Sequence, residues 1–470
     1  MIKYEEDTPL SNHSSTQSTA KLQKNLLLWH VIIIGLAYIQ PMTLFDTFGM
    51  VSRDSGAHVP TSYIFALFAI LLTSVSYGMM IRRYPSSGSA YTYAQKAIHP
   101  NVGFMVGWSS WMDYLLAPMV NIILARIYLE DLFPDVNPWV WVIALTAGMT
   151  IINLFGSRFV ARFNSTIVFV QLAVIAYFTY NVYDFLSNGI TADGAIDTAK
   201  YQLWSLDPFW NDSTQMGALI AGATLLCFSF TGFDALSSLA EETKDAEKVL
   251  PRAIVGTSLI AGIIFIISTY FLQIYFPSNP ENYFKLVDET QPEILQYVLG
   301  EALKTIVLYF AIVTVMASGI SAHAGVSRLM YVMGRDGVIN KRIFSHISPK
   351  LYTPTYNILI VGAIALTAGY FELESVVELI SFGALTAFTF VNFSVVCQYV
   401  FRDGRYHTLG DVLKYICIPV GGFIAVFLMW LNIDLTALAV GLSWAMIGMF
   451  YLAWLTKGFS KPTPQHNEFD

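Results

Sequence analysis

Twelve long apolar runs set the first limit on what this chain can fold into. They lie at residues 26–50, 59–83, 103–129, 138–157, 164–186, 216–240, 253–276, 303–333, 355–371, 375–400, 412–432 and 435–456. Most can cross ~30 Å of hydrocarbon as helices, with 355–371 at the short end. Hydrocarbon offers backbone N–H and C=O groups no partner, so only helices and closed barrels span it. The runs lack strand-period alternation, which argues against a barrel. Composition points the same way: 13% of residues are charged, against about 25% in a soluble protein, and mean hydropathy is +0.54. The expected fold class is an all-α polytopic membrane protein with 12 transmembrane helices.

Basic residues orient the spans. Of 26 Lys and Arg, only Arg53, Arg126, Lys200, Lys285 and Lys304 fall between runs or near their ends on the side opposite the N-terminus, and Arg328 lies deeper within a run. The other twenty share the N-terminal side, which the positive-inside rule makes cytoplasmic. Both termini are therefore expected in the cytoplasm of a multi-pass protein of the cytoplasmic (inner) membrane. The opposite loops are acidic, with Glu130, Asp131, Asp135, Asp288, Glu289 and Glu293 among others. Such loops would concentrate a cationic solute.

Residues 1–24 and 457–470 read as cytoplasmic tails, the first polar and rich in Ser, Thr, Asn and Gln. One domain is expected over 25–456. The first run is too long for a signal-peptide core. Cys227, Cys397 and Cys417 all fall inside runs and give no disulfide framework or metal-ligand spacing. Walker, dinucleotide-binding and His-Glu-x-x-His patterns are absent. No enzyme, cofactor, metal site or nucleic-acid partner is expected, and the oligomeric state is open.

Two runs are interrupted. The first reads Gly35-Leu-Ala-Tyr-Ile-Gln-Pro-Met-Thr-Leu-Phe45, with Gln40 and Pro41 in mid-span. Pro41 has no N–H and its ring clashes with the preceding turn, so the helix should kink or open. The sixth reads Leu226-Cys-Phe-Ser-Phe-Thr-Gly-Phe-Asp-Ala-Leu-Ser-Ser-Leu-Ala240, where Ser229, Thr231 and Gly232 weaken the helix just before Asp234. Broken helices at mid-depth mark transporter binding sites, and breaks five spans apart fit two inverted halves. The halves are expected at about 26–187 and 216–400, with peripheral helices at 412–456.

Several segments resemble the amino acid–polyamine–organocation permeases. They are Arg83-Tyr-Pro-Ser-Ser-Gly-Ser-Ala-Tyr-Thr-Tyr-Ala94, Val102-Gly-Phe-Met-Val-Gly-Trp108, Phe230-Thr-Gly-Phe-Asp234 with Glu241-Glu-Thr243 and Pro251-Arg-Ala253, and Ser327-Arg-Leu-Met-Tyr-Val-Met-Gly-Arg-Asp-Gly337. Within that superfamily, Pro41-Met-Thr-Leu-Phe-Asp-Thr-Phe-Gly49, Trp108-Ser-Ser-Trp-Met-Asp-Tyr-Leu115 and Ser321-Ala-His-Ala324 are similar to the bacterial putrescine importers. The resemblance implies a LeuT-type fold, a 5+5 inverted repeat plus two helices, and secondary import of putrescine or a similar small diamine. An amino-acid symporter or exchanger of the same fold is the alternative, and a non-transporting solute sensor a third reading.

Physical chemistry bears on the choice. Amino-acid permeases of this superfamily usually place a Gly-Ser-Gly-like run at the first break, whose N–H groups hold the substrate carboxylate. Ile39-Gln40-Pro41 bring bulk there and remove a donor, which favours an amine without a carboxylate. An Asp at the centre of a span costs ~2.5–3.5 kcal/mol, so Asp113 and Asp234 are expected to bind the ammonium groups. Asp46 is expected near wet headgroups or capping the outer half-helix. Tyr38, Tyr114, Phe228 and Phe230, with Phe233 near the break, are candidates to line the methylene portion, and Gln40 is a further candidate substrate-binding residue.

A proton is the expected coupling ion. His323 in the eighth span is the candidate relay, against the plainer role of an interhelical hydrogen bond. Cationic amino acid relatives carry a fifth-span Lys in place of a bound sodium, and Gln171 falls there. Two positive charges moving inward gain ~4.6 kcal/mol per 100 mV, so membrane potential alone could drive import.

Overall fold

The computed structural model describes residues 26–85, 88–155, 160–195, 203–241, 243–351, 353–461 and 463–464. The 1–24 tail, most of the C-terminal tail, and Ser86, Ser87 and Glu242 of the motifs above lie outside the described residues. Sixteen α-helices are described: α1 (Leu28–Ile39), α2 (Thr43–Asp54), α3 (Val59–Arg83), α4 (Ser89–Ala97), α5 (Pro100–Leu132), α6 (Pro138–Phe155), α7 (Val160–Ser187), α8 (Met216–Phe230), α9 (Ala246–Tyr275), α10 (Gln291–Arg335), α11 (Lys341–Phe344), α12 (Thr355–Ala365), α13 (Leu373–Val395), α14 (Leu409–Val412), α15 (Ile418–Trp430) and α16 (Leu435–Leu455). A two-residue hairpin, Ile190–Thr191 with Gly194–Ala195, is the strand pairing found among them.

Ten of the described helical stretches are long and apolar enough to cross a membrane, and α1 with α2 makes an eleventh, bent by 51°. Eleven of the twelve expected spans thus have a counterpart long enough to cross, and the twelfth run forms a shorter helix. That helix is the 355–371 run: eleven α-helical residues of α12 tighten into a 3₁₀ turn at Leu366–Tyr370. At ~1.5 Å per α residue and ~2.0 Å per 3₁₀ residue it reaches about 26 Å. Alone it falls short of ~30 Å.

The first break follows from backbone chemistry. Gln40 adopts a left-handed conformation (φ 51°, ψ 79°), its N–H closing α1 on the Leu36 carbonyl at 3.1 Å. Pro41 cannot donate, and the chain re-enters a helix at Thr43. The second break spans Thr231–Phe233, where Gly232 holds φ 112°, a value costly for any side chain. Beyond it the chain winds as a 3₁₀ helix, Asp234–Glu241. The interior is packed around α3, α5, α8 and α13, while α6, α15 and α16 are mostly exposed, as lipid-facing helices are. Where helices cross closely the side chain is small: Gly78 of α3 lies against Pro251 of α9, and Gly319 of α10 against Asn121 of α5.

Candidate functional site

The two breaks touch. A Cβ on Gly232 would lie 2.8 Å from the Cβ of Tyr38, so α1 ends directly against the glycine that opens the second break. Gln40, next to this junction in sequence, reaches two other helices. Its Nε2 donates to Asn121 Oδ1 of α5 at 3.2 Å and to the Thr314 carbonyl of α10 at 3.3 Å. The residue that fills the first break thereby pins it to two long helices. Asn121 is held in turn by its own bond to the Ala117 carbonyl at 2.8 Å.

Asp234 is the first residue of the 3₁₀ segment and only 6% exposed. Its Oδ1 accepts the Gly232 N–H at 3.3 Å, a bond that closes the turn, and its Oδ2 accepts the Tyr114 hydroxyl at 2.8 Å. Tyr114 comes from α5, as does Asp113, itself 8% exposed. A Cβ on Gly383 of α13 would fall 2.7 Å from the Asp113 Cβ, so a glycine is what leaves Asp113 its room. Asp113 and Asp234 are close enough for their charges to interact. Among the described residues neither forms an ion pair with Lys, Arg or His. Two buried acids thus lie within reach of each other's charge, Asp234 at the second break and Asp113 next in sequence to its tyrosine partner, a costly arrangement unless a cation or proton joins them.

Aromatic rings enclose the acids. Tyr77 of α3 lies within charge-interaction distance of both, and Tyr93 of α4 of Asp234. The Tyr77 ring packs edge-on against Phe233 at 5.6 Å, and Phe233 against Phe388 of α13 at 5.2 Å. Phe228 is half-buried on the last turn of α8. Phe230 points elsewhere: fully buried, its ring lies 5.4 Å from Phe265 and 6.2 Å from Tyr63, inside a packed cluster. Two helical steps of about 100° each turn it away from Phe228 on the same last turn of α8.

Asp46 departs from the headgroup placement expected of it. It is buried in the first turn of α2 and accepts the Tyr128 hydroxyl at 2.8 Å. No side-chain cap starts α2, so Asp46 ties a half-helix to α5 instead of capping it. His323 in α10 makes an interhelical contact, its Nε2 lying 2.9 Å from the Ile358 carbonyl of α12, while Nδ1 has no hydrogen-bond partner among the described residues. Gln171 of α7 is fully buried with neither amide atom bonded among them.

Two cavities lie elsewhere, both towards the ends of the helices at the acidic loops. One of about 540 Å³ is lined by Glu130, Asp131, Lys285, Glu289 and Glu293 among others. The second, about 290 Å³, lies between Arg53, Glu374, Glu378 and Asp434. Arg53 there bonds Glu374, joining α2 to α13.

Tyr77, Tyr93 and Asn121 escaped the sequence reading. Asn121 carried a signal, a lone amide in an apolar helix. The two tyrosines carried none, being ordinary members of an aromatic-rich chain.

Comparison with known proteins matches residues 30–456 to the family described as "Amino acid permease". The chain is 52% identical to the low-affinity putrescine importer PlaP of Escherichia coli K12, over 97% of this chain and 99% of that protein. It is 25% identical to the methylthioribose transporter of Bacillus subtilis 168, over 83% and 84% of the two chains. A solved Na⁺-coupled sialic acid symporter in a substrate-bound outward-open state superposes with a TM-score of 0.55 at 15% identity, covering 88% of this chain and 90% of that one. That likeness speaks for a shared LeuT-type fold alone. The family assignment makes this a multi-span membrane transport protein: the chain belongs to the amino acid permease family.

Proposed function

We infer that the chain imports putrescine or a similar small diamine across the cytoplasmic membrane, with both termini on the cytoplasmic side. The observation that carries this reading is the pair Asp113 and Asp234, both buried, within reach of each other's charge beside the second helix break, and without a basic partner among the described residues. A diamine supplies one ammonium group to each carboxylate and a methylene chain to the rings of Tyr77, Tyr114 and Phe228. Tyr38 and the backbone around Gly232 form the opposite wall. The similarity to a putrescine importer over nearly the whole chain supports the same solute class.

In this mechanism the acids act as fixed countercharges that a monoamine would satisfy only in part. Tyr114 and the Gly232 N–H hold the Asp234 carboxylate in one orientation, so binding requires little reorganisation. Inverted halves then rock around the site to open it to either side. Import gains from the inside-negative potential, ~4.6 kcal/mol per 100 mV for two charges. A proton is the proposed coupling ion, with His323 and the buried Gln171 as the coupling positions to test.

Competition separates this reading from the amino-acid alternative. Ornithine differs from putrescine by one carboxylate, and Gln40-Pro41 occupy the place of a carboxylate-binding turn. In proteoliposomes taking up radiolabelled putrescine, unlabelled ornithine should compete far less well than unlabelled putrescine. Equal inhibition at matched concentrations would refute the carboxylate-free site.

A further inference from the structure

At the end of the bundle opposite the two cavities, α13 and α15 are joined through two stretches of unusually wide helix. Val396–Arg402 and Leu413–Cys417 both wind with the i→i+5 hydrogen bonds of a π-helix. Such turns are rare and concentrate at functional positions. Here they face each other: the rings of Tyr399 and Tyr415 stack at 4.4 Å and 12° between planes. The stacked pair is bracketed by cations. The Arg405 guanidinium lies 6.0 Å from the Tyr399 ring and 5.9 Å from the Tyr415 ring, and Lys414 Nζ lies 5.0 Å from the Tyr415 ring.

The positive charge extends sideways. Arg402 donates to the backbone carbonyls of Lys96 and Ile98, which brings α4 alongside, and Lys96 Nζ lies 5.5 Å from the Tyr84 ring. Arg83 completes the cluster, 3.9 Å from Asp403. Five cations thus gather here with Asp403 and Asp411, and both acids are already engaged. Asp403 accepts from Gln398 and faces Arg83, while Asp411 accepts from Thr408.

Beside this charge the surface is apolar. Phe401 is 74% exposed and Leu409 78% exposed, with Leu413, one helical turn on from Leu409, also exposed. Exposed apolar side chains flanking a cationic cluster, at the end of two membrane-spanning helices, match a molecule with an anionic head and an acyl tail. A soluble anion would use the cations but leave Phe401 and Leu409 facing water. We propose that the Val396–Cys417 segment binds an anionic phospholipid, its phosphate held by Arg405 and Lys414 over the Tyr399–Tyr415 stack and its acyl chains lying against Phe401, Leu409 and Leu413.

The test is lipid binding to the purified full-length chain, read by native mass spectrometry. Phosphatidylglycerol and phosphatidylcholine with identical acyl chains are the probes. The wild type should retain phosphatidylglycerol in preference. The R405Q/K414Q variant should bind it about 30-fold more weakly, taking each surface cation's usual contribution near an anionic headgroup. K341Q/R342Q removes the same charge from α11 and should leave binding unchanged. If the double variant does not fold, R405Q and K414Q are measured singly, each expected to lose about fivefold. Equal binding of the two lipids would overturn the proposal. So would equal loss in the α11 variant, or displacement of bound lipid by millimolar inorganic phosphate, which would mark a free-anion site. The readout is independent of transport.

Discussion

Replacing Asp234 by Asn isolates its charge better than any other change at the site. The amide is isosteric with the carboxylate, and both existing hydrogen bonds have counterparts: the amide oxygen can accept the Gly232 N–H, and the amide nitrogen can donate to the Tyr114 hydroxyl, which now turns to accept. The turn at the second break should therefore survive, leaving the lost negative charge as the main difference. A charge-assisted hydrogen bond contributes about 1.5–3 kcal/mol net, so the apparent affinity for putrescine should fall roughly 10- to 150-fold. Tyr114→Phe is the companion: it removes the donor that orients Asp234 but keeps the carboxylate, so its loss should be smaller. Asp234→Glu keeps charge but must place a methylene where the residue is only 6% exposed, and should fall between wild type and Asp234→Asn. The assay is the concentration dependence of putrescine uptake in proteoliposomes under an imposed inside-negative potential, at matched amounts of inserted protein. Unchanged affinity in a normally inserted Asp234→Asn protein would make Asp234 a structural turn residue and refute the two-acid site.

The positions of the breaks were legible because they are local chemistry. A proline and a glycine act on the backbone within one turn, whatever surrounds them. The span pattern was legible for the same reason, since hydrocarbon imposes its length on each run separately. The short 355–371 run shows the limit: its length was visible, but the tightening of its end at Leu366–Tyr370 was not. What stayed hidden was pairing across the chain. Asp46 and Tyr128 are 82 residues apart, and nothing near Asp46 says that a hydroxyl from α5 will reach it. Likewise the amide of Gln40 finds Asn121 and Thr314, both remote in sequence, and its role becomes fastening the break. Phe230 was misplaced by proximity: two residues from Phe228, it turns into the Tyr63–Phe265 cluster because a helix rotates successive side chains apart.

Glu289, in the loop before α10, offers a pH test outside the spans. Burial pushes its carboxyl up from 4.5 to about 7, against the opposing Arg126 guanidinium 3.7 Å away. A raised folded value means that the folded state holds the proton more tightly, so stability present below about pH 4.5 is lost as pH rises through about 7. Glu289→Gln should match the wild type in melting temperature at about pH 4 and exceed it at about pH 8, on either side of that window; a difference independent of pH would refute this. Gly232→Ala tests the contact between the breaks. At φ 112° an L side chain is strained, and the added methyl would sit 2.8 Å from Tyr38 Cβ, with the Tyr38 backbone carbon 3.1 Å away. Neither the backbone nor the α1 terminus can yield without reopening the junction that places Asp234. The variant should therefore lose putrescine uptake while Gly217→Ala, whose added Cβ meets nothing within 4 Å, keeps it. Full uptake by both would show that the two breaks need not touch for transport.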